Sequence, residues 1–323
     1  MLKDGGKMQK LFKSLTEAIK NHEEIILMAH RNIDLDALGS LLCLYEITTT
    51  FDKKTYLIIN KEVNKSVSKA LTKLKNINFK YDIDNLKQDS LLIVADTHKE
   101  ELVEQPELLT KIKDIVVIDH HIKDSNYIKN TIFSYINANL SSAAEILLHY
   151  SRYLNHQISS ITSTIMLAGI EIDTNSYSIK TTDKTYESAA LLLKSGADNL
   201  LKQELLKEDK KEYLKRQKIL EKSYMINEKV ALCIFDNEKS KKEEIAQTAA
   251  SLLQFDNVEV GFAIGKLKNG NIGVSAKSLG NYDVKSIMKK LGGGGHLNNA
   301  ATEMKNTNIE EVKEQLLAII KER

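Results

Sequence analysis

Four short, almost unbroken apolar runs punctuate the first 120 positions: EIILMA at 24–29, TYLIIN at 55–60, SLLIVA at 90–95 and DIVVI at 114–118. They are too short for buried helices and lack the alternation of a strand with one wet face. They therefore predict strands of a parallel sheet covered by helices on both faces. From about residue 140 the spacing turns helical, through SSAAEILLHYSRYL, SSITSTIMLAGIEID and KTYESAALLLKSG, the last closed by Gly196 as a C-cap. Residues 199–222, dense in Lys, Glu and Leu without a breaker, predict one long charged helix. A second α/β region starts at VALCIF (230–235). It continues through EVGFAIGKL and NIGVSAKSL as a hairpin turning at Asn269 and Gly270, and ends in an amphipathic helix near 308–321. The expected fold class is α/β: a parallel-sheet domain over 1–198, a connecting helix over 199–225 and a smaller α/β domain over 226–323.

Composition narrows this picture. A chain of 323 residues, 42% hydrophobic and 28% charged, is neither disordered nor fibrous. The 46 Lys and Arg against 44 Asp and Glu leave a net charge of +2, which argues against gripping a long duplex by bulk charge but not against a small anionic ligand. Cys43 and Cys233 stand alone in apolar runs and read as buried free thiols. No apolar stretch approaches the roughly 18 residues of a membrane span, and no signal-type core follows the N-terminus, so a cytoplasmic location without membrane contact is expected.

Three of the four predicted strands run straight into ionisable residues: His30 to Asp36, Asp96 to His98, and Asp119 to His121. Asp173 follows another apolar segment, MLAGIEI. In open α/β sheets ligands bind at the carboxyl ends of strands. The loop His30-Arg31-Asn32-Ile33-Asp34-Leu35-Asp36 could hold a divalent pair, or Asp34 or Asp36 could simply cap the helix that follows. The ensemble decides for metal: five carboxylates gathered at the ends of buried segments would repel one another, at several kcal/mol of desolvation, unless cations neutralised them. Ser141 and Ser142, with Glu145 three positions on, read as a capping box whose helix N-terminus could also meet a ligand phosphate. Four consecutive glycines, Gly292, Gly293, Gly294 and Gly295, beside His296 suggest close backbone approach to a phosphate or base.

Taken in order, HRNIDLDALGS, VADTHKE, VIDHH and GIEIDTNSYSIKT resemble the four motifs of the DHH phosphoesterases, and GGGGHLNNAAT at 292–302 resembles their DHH-associated C-terminal domain. The resemblance spans nearly the whole chain. Within the superfamily it is nearest to the catalytic unit of the GdpP-type cyclic-di-AMP phosphodiesterases, without their membrane, PAS and degenerate GGDEF segments, so a freestanding unit is expected. The resemblance implies two Mn²⁺ ions, one held by His30 and Asp34, the other by Asp36, His120 and Asp173, with Asp96 bridging. It makes Asp119 the group that orients the DHH loop and His121 the one that faces the substrate phosphate. His98 reads as a further phosphate contact or a structural residue.

In similar proteins the stretch holding Ser275, Lys277 and Ser278 helps bind substrate; Lys277 stands where the family commonly has Arg, and Ile33 where it often has Pro. The expected activity is hydrolysis of cyclic di-AMP to pApA, and on to AMP, in a cleft between the domains. The alternative is an NrnA-like oligoribonuclease with pAp 3′-phosphatase activity. Partners are then a cyclic dinucleotide or short oligoribonucleotide, with a homodimer among the assemblies left open. A manganese pyrophosphatase is disfavoured by the GGGGH domain, and a non-catalytic nucleotide sensor by the full ligand set.

Overall fold

The computed structural model describes the backbone of residues 2–321 apart from 76, 81–85, 124–125 and 281, and their side chains except those of 2–5, 236–238 and 296. The chain forms two compact units, Met1–Lys207 and Glu208–Arg323. In chain order the first unit holds α1 (Leu2–Asn21), β1 (Glu24–Met28), α2 (Leu35–Thr49), β2 (Lys54–Ile58), α3 (Lys65–Leu71), β3 (Phe79–Lys80) and β4 (Leu91–Ala95). There follow α4 (Leu108–Lys111), β5 (Asp114–Asp119), β6 (Phe133–Ile136), α5 (Ala143–Tyr153), α6 (Ser160–Asp173), α7 (Asp183–Lys194) and α8 (Asn199–Leu206).

The four apolar runs become β1, β2, β4 and β5, all parallel, in the order β3-β2-β1-β4-β5-β6. Alternate residues serve opposite faces: Ile25 and Leu27 join the larger core beneath α1, α2, α5 and α6, whereas Ile26 and Met28 join a smaller one with Leu108, Leu109 and Ile112 from the α4 segment. The strand order reverses direction between β1 and β4, which opens a crevice at their carboxyl ends.

The second unit comprises α9 (Lys210–Leu220), β7 (Tyr224–Met225), β8 (Val230–Ser240), α10 (Lys242–Leu252), β9 (Val260–Leu267), β10 (Ile272–Ser278), α11 (Val284–Lys290), β11 (Gly294–His296), β12 (Asn299–Met304) and α12 (Ile309–Lys321). Its sheet is mixed, in the order β11-β12-β10-β9-β8-β7. One face packs on α11 and α12 through Ile287, Met288, Val312 and Leu316, and the other on α10 through Ile245, Ala249 and Leu252. The β9–β10 hairpin turns as expected, with the Gly270 N–H donating to the Leu267 carbonyl at 3.0 Å and Gly270 at φ 89°.

The single helix expected over 199–222 is corrected to two, α8 and α9. Lys207 is extended at ψ 131°, and Asp209 starts the second helix by accepting from the Lys211 and Glu212 N–H groups. An aspartate in a charged run is thus a cap, and composition alone does not distinguish that from a helix interior. Cys43 and Cys233 are buried thiols, neither joined in a disulfide. No described helix is long and apolar enough to cross a membrane.

Candidate functional site

The carboxyl ends of β1, β4 and β5 and the end of α6 deliver the ionisable residues to one place. His30 leaves β1 in a loop braced by the facing segment: it bridges to Val103, and the Arg31 N–H donates to the Leu102 carbonyl at 2.7 Å. The buried Ile33 anchors the same loop, its carbonyl accepting from Asn64 Nδ2 at 2.9 Å. His30 Nδ1 lies 2.7 Å from the Arg31 carbonyl, which can only accept, so Nδ1 carries the proton and Nε2 faces inward. That nitrogen stands 3.6 Å from Asp34 Oδ2 and 3.3 Å from Asp96 Oδ2.

The choice between capping and ligation at Asp34 dissolves. Its Oδ1 accepts from the Ala37 N–H at 3.0 Å as the N-cap of α2, and Oδ2 is turned to His30. Asp36, in the first turn of the same helix, caps a different one. It is buried, and it accepts from the N–H groups of Ala143 at 2.8 Å and Ala144 at 2.9 Å at the start of α5. The anion at that N-terminus is therefore Asp36, in the seat expected for a substrate phosphate. Ser141 and Ser142 are fully buried beneath it. Ser142 Oγ accepts from the Glu145 N–H at 3.1 Å, as a cap should, but the Glu145 carboxylate binds the Ser141 N–H and hydroxyl rather than closing the box on Ser142. Ser142→Ala is expected to lower the unfolding free energy by about 1 kcal/mol; an unshifted urea transition would contradict this.

Asp96 occupies the centre. At φ 60° it is a non-glycine residue in the left-handed region, a conformation that sets its carboxylate between two histidines. Its Oδ2 meets His30, and its Oδ1 lies 3.2 Å from His120 Nε2. The same His120 nitrogen is 3.1 Å from Asp173 Oδ2 and 4.0 Å from Asp36 Oδ2. Burial would raise the Asp96 carboxyl, but the His120 and His30 rings outweigh it and hold it well below the carboxylate range. Asp36 goes the other way, pushed up by burial and by the Asp96 and Asp173 charges, and burial raises Asp173 as well. Burial would lower His30 and His120; their carboxylate neighbours prevail and raise both well above 6.5.

Asp119 ends β5 with no exposed surface and gathers the loop that follows. Its Oδ1 accepts from the His120 N–H at 2.8 Å, the His121 N–H at 3.2 Å and His121 Nδ1 at 2.8 Å; its Oδ2 accepts from His98 Nδ1. His98 is buried and fixed in this way, whereas His121 is partly exposed. Burial would raise the Asp119 carboxyl, but the His121 and His98 bonds hold it far below its usual range.

Three donor groups overlap at Asp96, one with His30 and Asp34, one with Asp36, His120 and Asp173, and one with Asp119, His120 and His121, and in each the candidate ligand atoms lie within 4.8 Å of one another. Whether these residues suit a cation is answered by atoms left over. The buried Nδ1 and Nε2 of His120 and Oδ1 of Asp96 complete no hydrogen bond among the described residues, although Nε2 and Oδ1 sit close to charged neighbours. Mixed imidazole and carboxylate donors suit a borderline-to-hard divalent ion such as Mn²⁺.

In the second unit, Ser275 pairs with Ala301 and Lys277 with Asn299 across β10 and β12, and β11 continues both rows with Gly294 and His296. Register thus puts Ser275, Lys277 and Gly294 on one face of the sheet. The His296 side chain lies outside the described residues. Ser278 falls on the opposite face and is buried, its hydroxyl donating to the Tyr282 carbonyl at 2.7 Å.

The glycine run divides by cause. Gly292, at φ 77°, terminates α11 in a Schellman motif, with Gly292 N–H donating to the Lys289 carbonyl at 3.0 Å and Gly293 N–H to the Met288 carbonyl at 2.8 Å. A Cβ on Gly293 would lie 2.3 Å from the Ala301 carbonyl oxygen, and one on Gly295 2.4 Å from Ala300 Cα. Gly292 and Gly294 both have open space beside them among the described residues, and of these two only Gly292 needs a positive φ.

Residues 24–170 match the family model described as DHH family, N-terminal domain, and residues 227–323 match the DHHA1 domain. The chain is 33% identical over 315 residues to the cyclic-di-AMP phosphodiesterase GdpP of Geobacillus thermodenitrificans, an alignment covering 94% of this chain and 48% of that protein. It therefore spans about half the length of that relative. It is also 26% identical over 300 residues to the bifunctional oligoribonuclease and PAP phosphatase NrnA of Mycoplasma genitalium, covering 89% of this chain and 91% of that one. The crystal structure of an exopolyphosphatase-related protein from Bacteroides fragilis shares the fold, at a TM-score of 0.83 and 20% identity over 97% of both chains.

Proposed function

Because the chain belongs to the DHH family and carries the DHHA1 domain, we propose that it is a Mn²⁺-dependent phosphodiesterase that opens cyclic di-AMP to pApA and carries this on to AMP in the cytoplasm. The observation that carries the reading is that the donor group of His30 and Asp34 and that of Asp36, His120 and Asp173 meet at Asp96. In this reading His30 and Asp34 would hold one Mn²⁺ and Asp36, His120 and Asp173 the other, with Asp96 the carboxylate common to both groups. Bound there, two divalent cations supply an acidified water and neutralise charge at the scissile phosphate.

The remaining steps belong to side chains. Asp119 fixes His121 through Nδ1, so the ring offers Nε2 to a phosphoryl or leaving-group oxygen; protonated, it donates there as charge grows. Asp119 also sets His98 and the His120 backbone, keeping the ring between Asp96 and Asp173. In the second unit, Ser275, Lys277 and the Gly294 backbone form the grip on the nucleotide, with Lys277 a single positive point rather than a bidentate fork.

Gly294→Ala is the clean probe of that grip, since its new methyl meets nothing among the described residues. It is expected to raise KM several-fold with kcat held; an unchanged KM would remove the glycine from the substrate site. A second reading, an oligoribonuclease with pAp phosphatase activity, rests on the match to the NrnA protein over nearly the whole of both chains. Turnover of cyclic di-AMP, pApA and pAp by the purified protein with Mn²⁺ separates the two. The proposal expects the cyclic compound to be cleaved; cleavage of linear compounds only would contradict it.

A further inference from the structure

Helix α6 carries a glycine, Gly169, in a stretch otherwise built of Ile, Leu, Met and Ala, although glycine in a helix interior costs about 1 kcal/mol relative to alanine. The contact it makes supplies the reason. A Cβ at Gly169 would lie 2.5 Å from Asp36 Cα, 2.7 Å from Asp36 N and 3.0 Å from Leu35 C. All three are backbone atoms, so no rotamer change relieves the clash. One turn along, a Cβ on Gly39 of α2 would meet Met166 Cα and N, both at 2.9 Å. The two helices therefore touch main chain to main chain just where α2 presents Asp36, and four residues before α6 ends in Asp173.

We propose that Gly169 is a positioning residue for the candidate metal centre: its missing side chain lets α6 seat on the Asp36 backbone, and that seat fixes the separation between Asp36 and Asp173. The inference rests on the two-cation reading above and adds a residue to it. Asp36 cannot give way, because its carboxylate is tied to the Ala143 and Ala144 N–H groups of α5. An alanine must therefore push α6 outward, and Asp173 moves with it. Bringing the 2.5 Å contact out to the 3.4 Å at which ordinary van der Waals contact begins takes about 0.9 Å. Metal–ligand distances tolerate only about 0.2 Å. The displacement therefore exceeds the tolerance several-fold. The His30, Asp34 and Asp96 group has no member on α6 and is left in place.

The test is Mn²⁺ titration of the metal-stripped protein by calorimetry and electron paramagnetic resonance. Wild type is expected to bind two ions. Gly169→Ala should keep one tight site and weaken the second at least tenfold, the scale of a lost supporting contact. Gly39→Ala meets the Met166 backbone at 2.9 Å, three residues further from Asp173 than Gly169, and needs about 0.5 Å of relief against about 0.9 Å for Gly169, so it should lower the unfolding midpoint and weaken the second site less than Gly169→Ala does. Two unaltered sites in Gly169→Ala, or equal weakening in the two variants, would overturn the proposal. If Gly169→Ala does not fold, Asp173→Glu carries the test. A fixed helix spacing cannot absorb the extra methylene, so the second site weakens at least tenfold, and an unchanged affinity overturns the proposal. A wild-type protein that binds fewer than two ions refutes the underlying reading instead.

Discussion

Asp96→Asn is expected to leave the chain folded and to slow turnover roughly thousandfold, since loss of the shared ligand removes about 4 kcal/mol of charge stabilisation from both cations. Asparagine is the informative replacement because it keeps the shape and tolerates the left-handed backbone at φ 60°. What it removes is the charge whose two oxygens are divided between His30 at 3.3 Å and His120 at 3.2 Å. No other described carboxylate lies within ion-pairing distance of both rings. Steady-state rates at saturating Mn²⁺, with a urea transition to verify folding, check this. A rate within tenfold of wild type would mean that Asp96 does not link the two groups.

The second large effect is on metal affinity. His30 and His120 are raised well above 6.5 by the carboxylates around them, so each holds its proton more tightly than a free imidazole before metal arrives. A cation must displace those protons. Binding of the pair is expected to release protons, so the overall binding constant falls as pH drops near neutrality. The metal-free fold responds in the opposite sense. A histidine raised in the folded state contributes stability that is fully present below its unfolded value near 6.5 and is lost as pH rises through the folded value. Raising pH should thus loosen the apo protein while tightening metal binding. Calorimetry in buffers of different ionisation enthalpy counts the protons; an affinity independent of pH between 6 and 8 would contradict the charge states assigned to both rings.

Much of this architecture is legible before any coordinates. Strands buried on both faces must be apolar throughout, so β1, β2, β4 and β5 are visible as runs, and the polar residues that end them mark the crevice. β3 and β6 are missed because each lies at an edge of the sheet: β3 contributes two residues, and β6, Phe133–Ile136, interleaves a serine and a tyrosine with its apolar positions. Partnership is less legible still. The spacing of Asp34 and Asp36 on one loop does not reveal that one caps its own helix and the other caps α5, 107 residues away. The bond between His98 and Asp119 is equally invisible, and so are the main-chain contacts that explain Gly169, Gly293 and Gly295. Motif patterns expose which residue types gather; the contacts that orient them come from elements distant in the chain.

The central claim is that the carboxylates and histidines around Asp96 converge because two divalent cations belong between them. Anomalous diffraction at the manganese edge, from crystals grown with Mn²⁺, tests it most directly. The account predicts two peaks about 3.5–4 Å apart on either side of the Asp96 carboxylate, one beside His30 and Asp34 and the other beside Asp36, His120 and Asp173. Well-ordered density for these side chains with no peak among them, or with a single peak away from Asp96, would contradict it.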